Sequence, residues 1–343
     1  MKRIGNLWPQ IASQEALYRA YTMARKGKRR HHACHKFERQ IGAQITSLER
    51  ELLDGTYRPH EPNRFYVYEP KRRLIEAPAF RDLVVQHALY AVVMPIFERR
   101  FINTNFACRI GYGTHAAADY VQAVMSRAAP TDWVLKIDCR KYFYSIDHGV
   151  LHNQVERVIK CPQTLALLDS FIDCRGEPVG VPIGNLMSQV FGLVYLNDID
   201  QFARRQLGLR TYSRYVDDMV MLVQSQAHGE DMLERITGRL KDALGLDVSK
   251  HCLQPIRRGV NCYGFRTWRT RRFIRKRSLY VASRSARRRN AESFVSCLGH
   301  ARRSASFRHL LSLAEDNHDL RLPETIRRVR HLYPAHRSRP AVV

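Results

Sequence analysis

Asp217 and Asp218 stand side by side in YSRYVDDMVMLVQ, a stretch that is otherwise apolar and β-prone. The flanking residues, Tyr212 to Val216 and Met219 to Val223, read as two strands joined at the acidic pair. An aspartate at a turn ordinarily caps or shapes that turn, and this reading suffices for the pair taken alone. A third carboxylate changes the balance. In WVLKIDCRKYFYSID an apolar strand, Trp133 to Ile137, ends in Asp138. A strand end can meet a hairpin turn on a neighbouring strand of the same sheet. Three carboxylates brought together repel one another unless a cation sits between them. Mg²⁺ takes oxygen ligands and usually binds substrate phosphates as well. Two such ions about 4 Å apart can activate an attacking hydroxyl and stabilise a departing pyrophosphate.

The elements that must position these residues follow from pattern. SQEALYRAYTMARKGKRR reads as a helix capped by Ser13. A second helix puts Ile41, Ile45, Leu48 and Leu52 on one face and stops at Gly55. RFYVYEPKRRLIEAP reads as two short strands around a Glu-Pro-Lys turn. RDLVVQHALYAVVMPIFERR reads as a buried helix interrupted near Pro95. GTHAAADYVQAVMSRAA is a further helix, and two more are expected near 148–160 and 163–172. NLMSQVFGLVYLNDIDQFARRQ reads as one long helix, EDMLERITGRLKDALG as another, and GVNCYGFRTW as a strand. Asp147 reads as a helix cap, and Asp198 and Asp200 as solvated or structural. Trp133 and Trp268 read as core residues.

Bulk properties narrow the partners. The chain has 343 residues, enough for two or three subdomains, and its 45% hydrophobic content excludes a disordered chain. Net charge is +25 and the pI is about 10.2. Such an excess calls for a polyanion, and nucleic acid fits better than a membrane because no basic amphipathic anchor stands out. No run of about 18 apolar residues suggests a membrane span, and the start lacks the apolar core of a secretory signal. From Arg269 to Arg308 there are 13 Lys or Arg against one acid, Glu292, with Phe273, Tyr280, Phe294 and Phe307 interspersed. That bias is too one-sided for i, i+4 pairing and suits a nucleic-acid backbone. Eight cysteines, none in C-x-x-C, read as free thiols of a cytoplasmic protein. HHACH at His31 to His35 has no second cluster at ligand spacing and reads as a solvated basic segment rather than a zinc site.

The ordered set of motifs resembles the reverse transcriptases. Asp138 lies five residues before Phe143, and Tyr215-Val216-Asp217-Asp218 follows. KRRLIEAPAFRDLVVQHAL places Arg73 eight residues before Arg81-Asp82, as in the family's first fingers motif. FACRIGYGTHAAADYVQ, with Arg109, Gly111 and Gly113, resembles the second motif. GVPIGNLMSQVFGLVYLNDID resembles the fourth, and LGLDVS with GVNCYGFRTW resembles the last palm motif and the primer grip. The resemblance covers roughly residues 64–268. It implies an α+β right-hand polymerase with fingers, a palm built on an antiparallel sheet, and a helical thumb. The expected division is an N-terminal helical extension at 1–60, fingers at 61–130, palm at 131–268 with fingers elements interleaved near 150–185, and a basic helical thumb at 269–343.

The resemblance also assigns roles. Asp138 and Asp217 would bridge two Mg²⁺ ions, with Mn²⁺ as an alternative, and Asp218 would support them as third catalytic carboxylate. Arg73 would contact the triphosphate of the incoming nucleotide. Phe143 would exclude a ribose 2′-hydroxyl and so favour dNTPs, the alternative being ordinary core packing. Arg109 suits a substrate contact and a structural ion pair equally. Gly111 and Gly113 fit backbone turning better than a phosphate loop. Most members read Pro-Gln-Gly and then Ser-Pro in the fourth motif. This chain reads Pro182-Ile183-Gly184 and then Ser188-Gln189. Isoleucine cannot supply the hydrogen bond that glutamine offers near the nucleotide, which loosens base selection. Lys250 is near, but out of register with, a lysine that protonates pyrophosphate in the family.

The I-G-N-x-x-S-Q form resembles the reverse transcriptases of diversity-generating retroelements. KGKRR, VYEPKRRLI, VVQHAL, PIFE, GTHA, SID and RGVN share that group's style. The implied activity is cDNA synthesis from a template-repeat RNA with errors at template adenines. The implied partners are the RNA template, a DNA or RNA primer, dNTPs, a structured RNA and a small basic oligomeric accessory protein, in a bacterial or phage-encoded setting. The tail after Trp268 leaves no room for a nuclease or integrase domain beside a thumb. An antiphage-defence, retron or group II intron-type enzyme is the first alternative. A catalytically idle RNA-binding scaffold is the second, and the intact carboxylates weigh against it.

Overall fold

The computed structural model describes residues 2–68 and 71–316. The expected turn at Glu69 and Pro70, and residues 317–343 of the expected thumb, lie outside the described residues. Four helices open the chain: α1 (Trp8–Ile11), α2 (Gln14–Ala24), α3 (His32–Glu38) and α4 (Ile41–Leu53). Ser13 starts α2 by accepting from the Ala16 N–H, as its residue type predicts. Ile45, Leu48 and Leu52 of α4 are buried, and the chain turns away at Gly55 with φ +68°. The ribbon β1 (Asn63–Val67) and β2 (Arg73–Ala77) is antiparallel, with Val67 opposite Arg73.

The helix α5 (Phe80–Glu98) runs through Pro95 without the expected break. Pro95 lies in the last turn, so its missing N–H costs a single hydrogen bond. By length and composition α5 could cross a membrane, but Val84, Val85, Leu89 and Val93 are fully buried within the protein. The chain continues through α6 (Thr114–Arg127), β3 (Trp133–Cys139), α7 (His148–Glu156) and α8 (Pro162–Ile172). Asp147 caps α7 by accepting from the Val150 N–H.

The expected single helix over 185–206 is divided. It forms α9 (Leu186–Tyr195), a break at Leu196, α10 (Asn197–Gln201) and a π turn over Phe202–Gln206. The division turns Asp200 fully inward, where it meets Arg214. Asp198 pairs with Arg239 instead. Next come β4 (Ser213–Tyr215), β5 (Asp218–Val223), α11 (Gln226–Leu244), capped by Ser225, and β6 (Val248–Pro255). Residues 259–268 are not one strand but a hairpin, β7 (Val260–Cys262) and β8 (Phe265–Thr267). Gly264 makes its turn at φ +91°, and a Cβ there would come within 2.8 Å of His300. β9 (Arg272–Ile274) and the helices α12 (Lys276–Arg287), α13 (Ala291–Ala301) and α14 (Ser306–Asp316) complete the described chain.

The chain forms two compact units. The first holds residues up to Gly113 together with Thr131–Gln254, and the second holds Thr114–Pro130 with the chain from Pro255 onward. The expected boundary at 130 coincides with a switch between the units, whereas the other switches, after Gly113 and after Gln254, lie apart from the boundaries expected at 60 and 268. The reason is packing: α6 contacts β8, and its Ala118 joins Phe265, Ile274, Phe294, Leu298 and Leu310 in a second core. Asp119 of α6 ties the same unit with ion pairs to Arg272 and Arg303, each at 2.6 Å.

In the first unit a four-stranded sheet runs in the order β4-β5-β3-β6. The β3–β5 register pairs Ile137 with Met219 and Leu135 with Met221, and all four are fully buried. Each such side chain contributes roughly 1.5–3 kcal/mol on leaving water. Strand alternation then puts Lys136, Asp138 and Asp218 on the opposite face.

Beneath the β4–β5 turn lies a fully buried ion pair. The Arg214 Nε and Nη2 donate to the two Asp200 carboxylate oxygens at 2.7 and 2.6 Å. Tyr212 also donates to Asp200, at 2.9 Å. Removing one partner strands a charge without solvent. Asp200→Asn is therefore expected to cost about 3–5 kcal/mol in denaturant unfolding, and a loss under 1 kcal/mol would show that the pair is not a fixed part of the fold.

Candidate active site

The two-residue turn Val216–Asp217 joins β4 to β5, with Tyr215 paired across it to Asp218. Val216 holds φ +57°, a left-handed conformation that is costly for a β-branched residue. Its carbonyl accepts from Arg214 Nη1 at 2.7 Å, so the strained peptide is tied to the buried ion pair. Arg214 also reaches the Leu193 carbonyl of α9 at 3.3 Å, and its own backbone bonds Thr104 and Phe106. The turn is thereby fixed from three sides of the unit.

Asp138 and Asp218 are direct partners in the antiparallel register. Asp217, next to Asp218, is pushed up to about 6, first by burial and then by the negative charge of Asp138, with Asp218 adding a smaller push and Arg73 opposing it. The buried Cys139 thiol is also driven upward, by burial and then by Asp217 and Asp138. The structure thus brings Asp138, Asp217 and Asp218 together, but not as three equal ligands. Asp218 is drawn to Lys136, whose Nζ lies 3.0 Å from its Oδ2. Asp138 accepts from the Ser249 hydroxyl of β6 at 2.9 Å. Among the described residues no group of three or more His, Cys, Asp and Glu side chains forms a ready metal cluster. Asp138 and Asp217 nevertheless suit a divalent cation. They are a repelling carboxylate pair of the kind that Mg²⁺ occupies when phosphates supply further ligands.

Around this pair the other expected residues fall into two groups. Arg73 begins β2 at the protein surface, and its charge acts on Asp217. The Glu76 N–H of the same strand donates to the Ile183 carbonyl at 2.8 Å, so the ribbon carrying Arg73 is bonded to the Ile183–Gly184 segment. Gly184 has φ +108°, and a Cβ there would stand 2.7 Å from Ile75, so only glycine fits this approach. Asn185 caps α9, from which Gln189 is exposed. Phe143 is half-buried and leans on α9 at Gly192, where a Cβ would come within 3.1 Å of its ring.

Arg109 and Lys250 do not join the site. The Arg109 side chain is buried and committed to the fold: it pairs with Glu98 at 3.1 Å, bonds the Ile102 and Asn105 carbonyls and stacks on Tyr112. Of the two readings its residue type allows, the structural one holds. Lys250 follows Ser249 in β6, so strand alternation turns it away from the face where Ser249 meets Asp138.

Ser249, Lys136 and the Arg214–Asp200 pair were not recognised as site residues from sequence. Lys136 carried a signal, a lone charge between the fully buried Leu135 and Ile137 of a central strand. Arg214 and Asp200 carried none, because their meeting depends on the break in the helix before them.

The raised Asp217 has a consequence for stability. Folded protein holds that proton more tightly than unfolded chain does, so the group's contribution falls as pH rises from about 4 through about 6. Above pH 6 the buried charge opposes folding. Asp217→Asn should stabilise the metal-free protein at pH 7 by on the order of 1–3 kcal/mol, with little gain at pH 4; equal stability of the two proteins at both pH values in urea titrations would remove the inferred strain.

A family model described as reverse transcriptase (RNA-dependent DNA polymerase) matches residues 69–267. Protein YkfC of Escherichia coli (strain K12) is 28% identical over 289 residues, covering 70% of this chain and 74% of that protein. The group II intron-encoded protein LtrA of Lactococcus lactis subsp. cremoris is 25% identical over 221 residues, 61% of this chain and 36% of LtrA. The chain thus spans about a third of LtrA's length. A telomerase structure from Candida albicans, in complex with a fragment of telomeric RNA, aligns over 75% of this chain and 55% of its own at 12% identity and a TM-score of 0.46.

Proposed function

The chain belongs to the reverse transcriptase family, whose model matches more than half of it, and from that premise we propose that it is an error-prone enzyme that copies a template-repeat RNA into cDNA to diversify a target gene. RNA-directed DNA polymerisation is the family's activity, on an RNA template with nucleotide substrates. The observation that carries the site reading is the β3–β5 register, which sets Asp138 against Asp218 and leaves Asp217 on the turn beside them.

Asp138 and Asp217 would hold the divalent ions, Mg²⁺ by the preference of hard cations for oxygen. Bound there, the ions would activate the primer 3′-hydroxyl and stabilise the departing pyrophosphate. The remaining work belongs to the chain's own side chains. Arg73, exposed and electrostatically linked to Asp217, offers a positive charge to the incoming triphosphate. Phe143, wedged over Gly192, presents a wall that excludes a 2′-hydroxyl by volume. Ser249 holds the Asp138 carboxylate in place.

The diversifying role rests on the fourth motif. Ile183 presents an apolar side chain where most members of the family place an amide, and its backbone is bonded to the ribbon that carries Arg73. Loss of that side-chain hydrogen bond weakens discrimination between base pairs. The +25 charge suits a structured RNA; the small accessory protein and the cytoplasmic setting belong to the same proposal. The LtrA similarity favours one other reading, an intron-type enzyme of ordinary fidelity.

Sequencing of primer-extension products on a defined RNA separates the two. The expected result is misincorporation concentrated at template adenines; uniform, rare errors would favour the intron-type reading. In the same assay Asp217→Asn should reduce dNTP incorporation at least 10³-fold, on the order of a transition-state electrostatic contribution, while RNA retention on a filter persists. Undiminished incorporation would refute the site. Phe143→Val should raise rNTP incorporation relative to dNTP by roughly 10-fold or more, measured as a ratio of kcat/KM values. An unchanged ratio would leave the ring as core packing only.

A further inference from the structure

His148, at the start of α7, is buried, and both nitrogens of its ring have partners. Nδ1 stands 2.9 Å from Asp173 Oδ1, and Nε2 stands 2.9 Å from the Gly180 carbonyl oxygen. A carbonyl oxygen only accepts, so Nε2 carries a hydrogen. An ionised carboxylate also only accepts, so Nδ1 carries one too. A neutral imidazole has a single N–H and meets one of these demands, whereas the cationic ring meets both. His152, one turn further along α7, faces Asp169 at 2.6 Å and Asp173 at 3.3 Å. Burial works against its charge, yet these two carboxylates push its pKa up. Glu156 adds negative charge near Asp169, and α9, which also packs on α7, carries no charged side chain.

The two partners of His148 are the two ends of one loop. Asp173 follows the last residue of α8, and Gly180 closes the loop at φ +95°, where a Cβ would stand 3.0 Å from the Tyr144 carbonyl oxygen. Backbone bonds complete the closure. The His148 N–H donates to the Pro178 carbonyl at 3.1 Å, and the Gly180 N–H donates to the Ile146 carbonyl at 2.7 Å. The next residue, Val181, donates to the carbonyl of Phe143 at 2.8 Å, and the chain then enters Ile183–Gly184. Within the loop, Arg175 reaches Glu76 of the ribbon that carries Arg73, at 3.5 Å. The loop therefore connects the two features on which nucleotide selection depends, the Phe143 ring and the Ile183 segment.

We propose that His148 is a positioning residue for nucleotide selection: as a doubly protonated ring it clamps both ends of the 173–180 loop and so holds Phe143 and Ile183–Gly184 in place against the incoming nucleotide. The inference rests on the polymerase reading above and adds a residue to its specificity. Phe143 excludes by volume, and a wall displaced by about 1 Å no longer discriminates well. A side chain that donates at one end only leaves Asp173 or the Gly180 carbonyl without its donor, and the loop is then held from one side.

The test is steady-state primer extension by the full-length protein carrying His148→Gln, whose amide cannot reproduce the two opposed N–H donors of the ring. The expected result is a KM for dNTP raised about five-fold or more with kcat changed less than about two-fold. The preference for dNTP over rNTP, as a ratio of kcat/KM values, should fall about three-fold or more. Asp173→Ala, at an exposed position, should move both quantities in the same direction and add little to His148→Gln in the double variant. In ¹⁵N-histidine spectra at about neutral pH, the parent should show a ring protonated on both nitrogens that is missing from His148→Gln. A lower kcat at unchanged KM and unchanged preference, the signature of a smaller folded fraction, would overturn the proposal. So would a singly protonated ring at this position. Should His148→Gln fail to fold, Asp173→Ala decides by the same two quantities. Failure of the polymerase reading looks different: the parent itself would then show no template-directed dNTP incorporation.

Discussion

The buried pair of Arg214 and Asp200 is the constraint on which the rest of the site depends. Taking two charges fully out of water is expensive, and the attraction between them offsets that cost only when geometry and further hydrogen bonds are favourable. Here both conditions hold. The guanidinium meets both carboxylate oxygens, Tyr212 adds a donor to Asp200, and two further guanidinium N–H groups reach the carbonyls of Val216 and Leu193. One side chain thus joins α10, α9 and the β4–β5 turn. Such a pair is a poor source of net stability and a good source of specificity, because few other arrangements satisfy all of its hydrogen bonds. What it specifies is the left-handed Val216 peptide, and with it the placement of Asp217.

The acidic face above that pair holds strain in electrostatic form. Asp217 is disfavoured as an anion by burial and by Asp138, yet the proposed metal binding calls for the anion. Three devices limit the cost: a serine hydroxyl on Asp138, a lysine on Asp218, and the distant positive charge of Arg73. A site arranged this way is less stable empty than a neutral version of itself, which is the usual relation between stability and an active site held ready for a charged ligand.

The second unit follows a separate logic. Its core is small, built from Phe265, Phe294, Leu298 and Leu310 with the alanines of α12 and α13, while the arginines of α12 are exposed. Asp119 of α6 pairs with two arginines outside α12, Arg272 of β9 and Arg303 after α13. That is why a helix placed by sequence among the fingers joins the unit that carries the basic segment. Periodicity located α6 as an element, but only the ion pairs and the packing of Ala118 assign it to a unit.

Local sequence determined a good deal here. The Ser13, Asp147 and Ser225 caps, the apolar face of α4 and the β-prone runs around the acidic pair act through neighbours a few residues away, so residue type and spacing were enough to read them. The carboxylates were legible for the same reason, since a charge at a strand end or in a tight turn is conspicuous in an apolar setting. Other features were decided only by tertiary structure. Arg109 and Asp200 have sequence surroundings that suit several roles, and Glu98 and Arg214, on other elements, settled them. Pro95 failed to break α5 because it falls in the last turn, and residues 185–206 divide at Leu196, which turns Asp200 inward to Arg214. A long-range partner for a buried charge carries more free energy than a local propensity, and it leaves no mark in the sequence beside it.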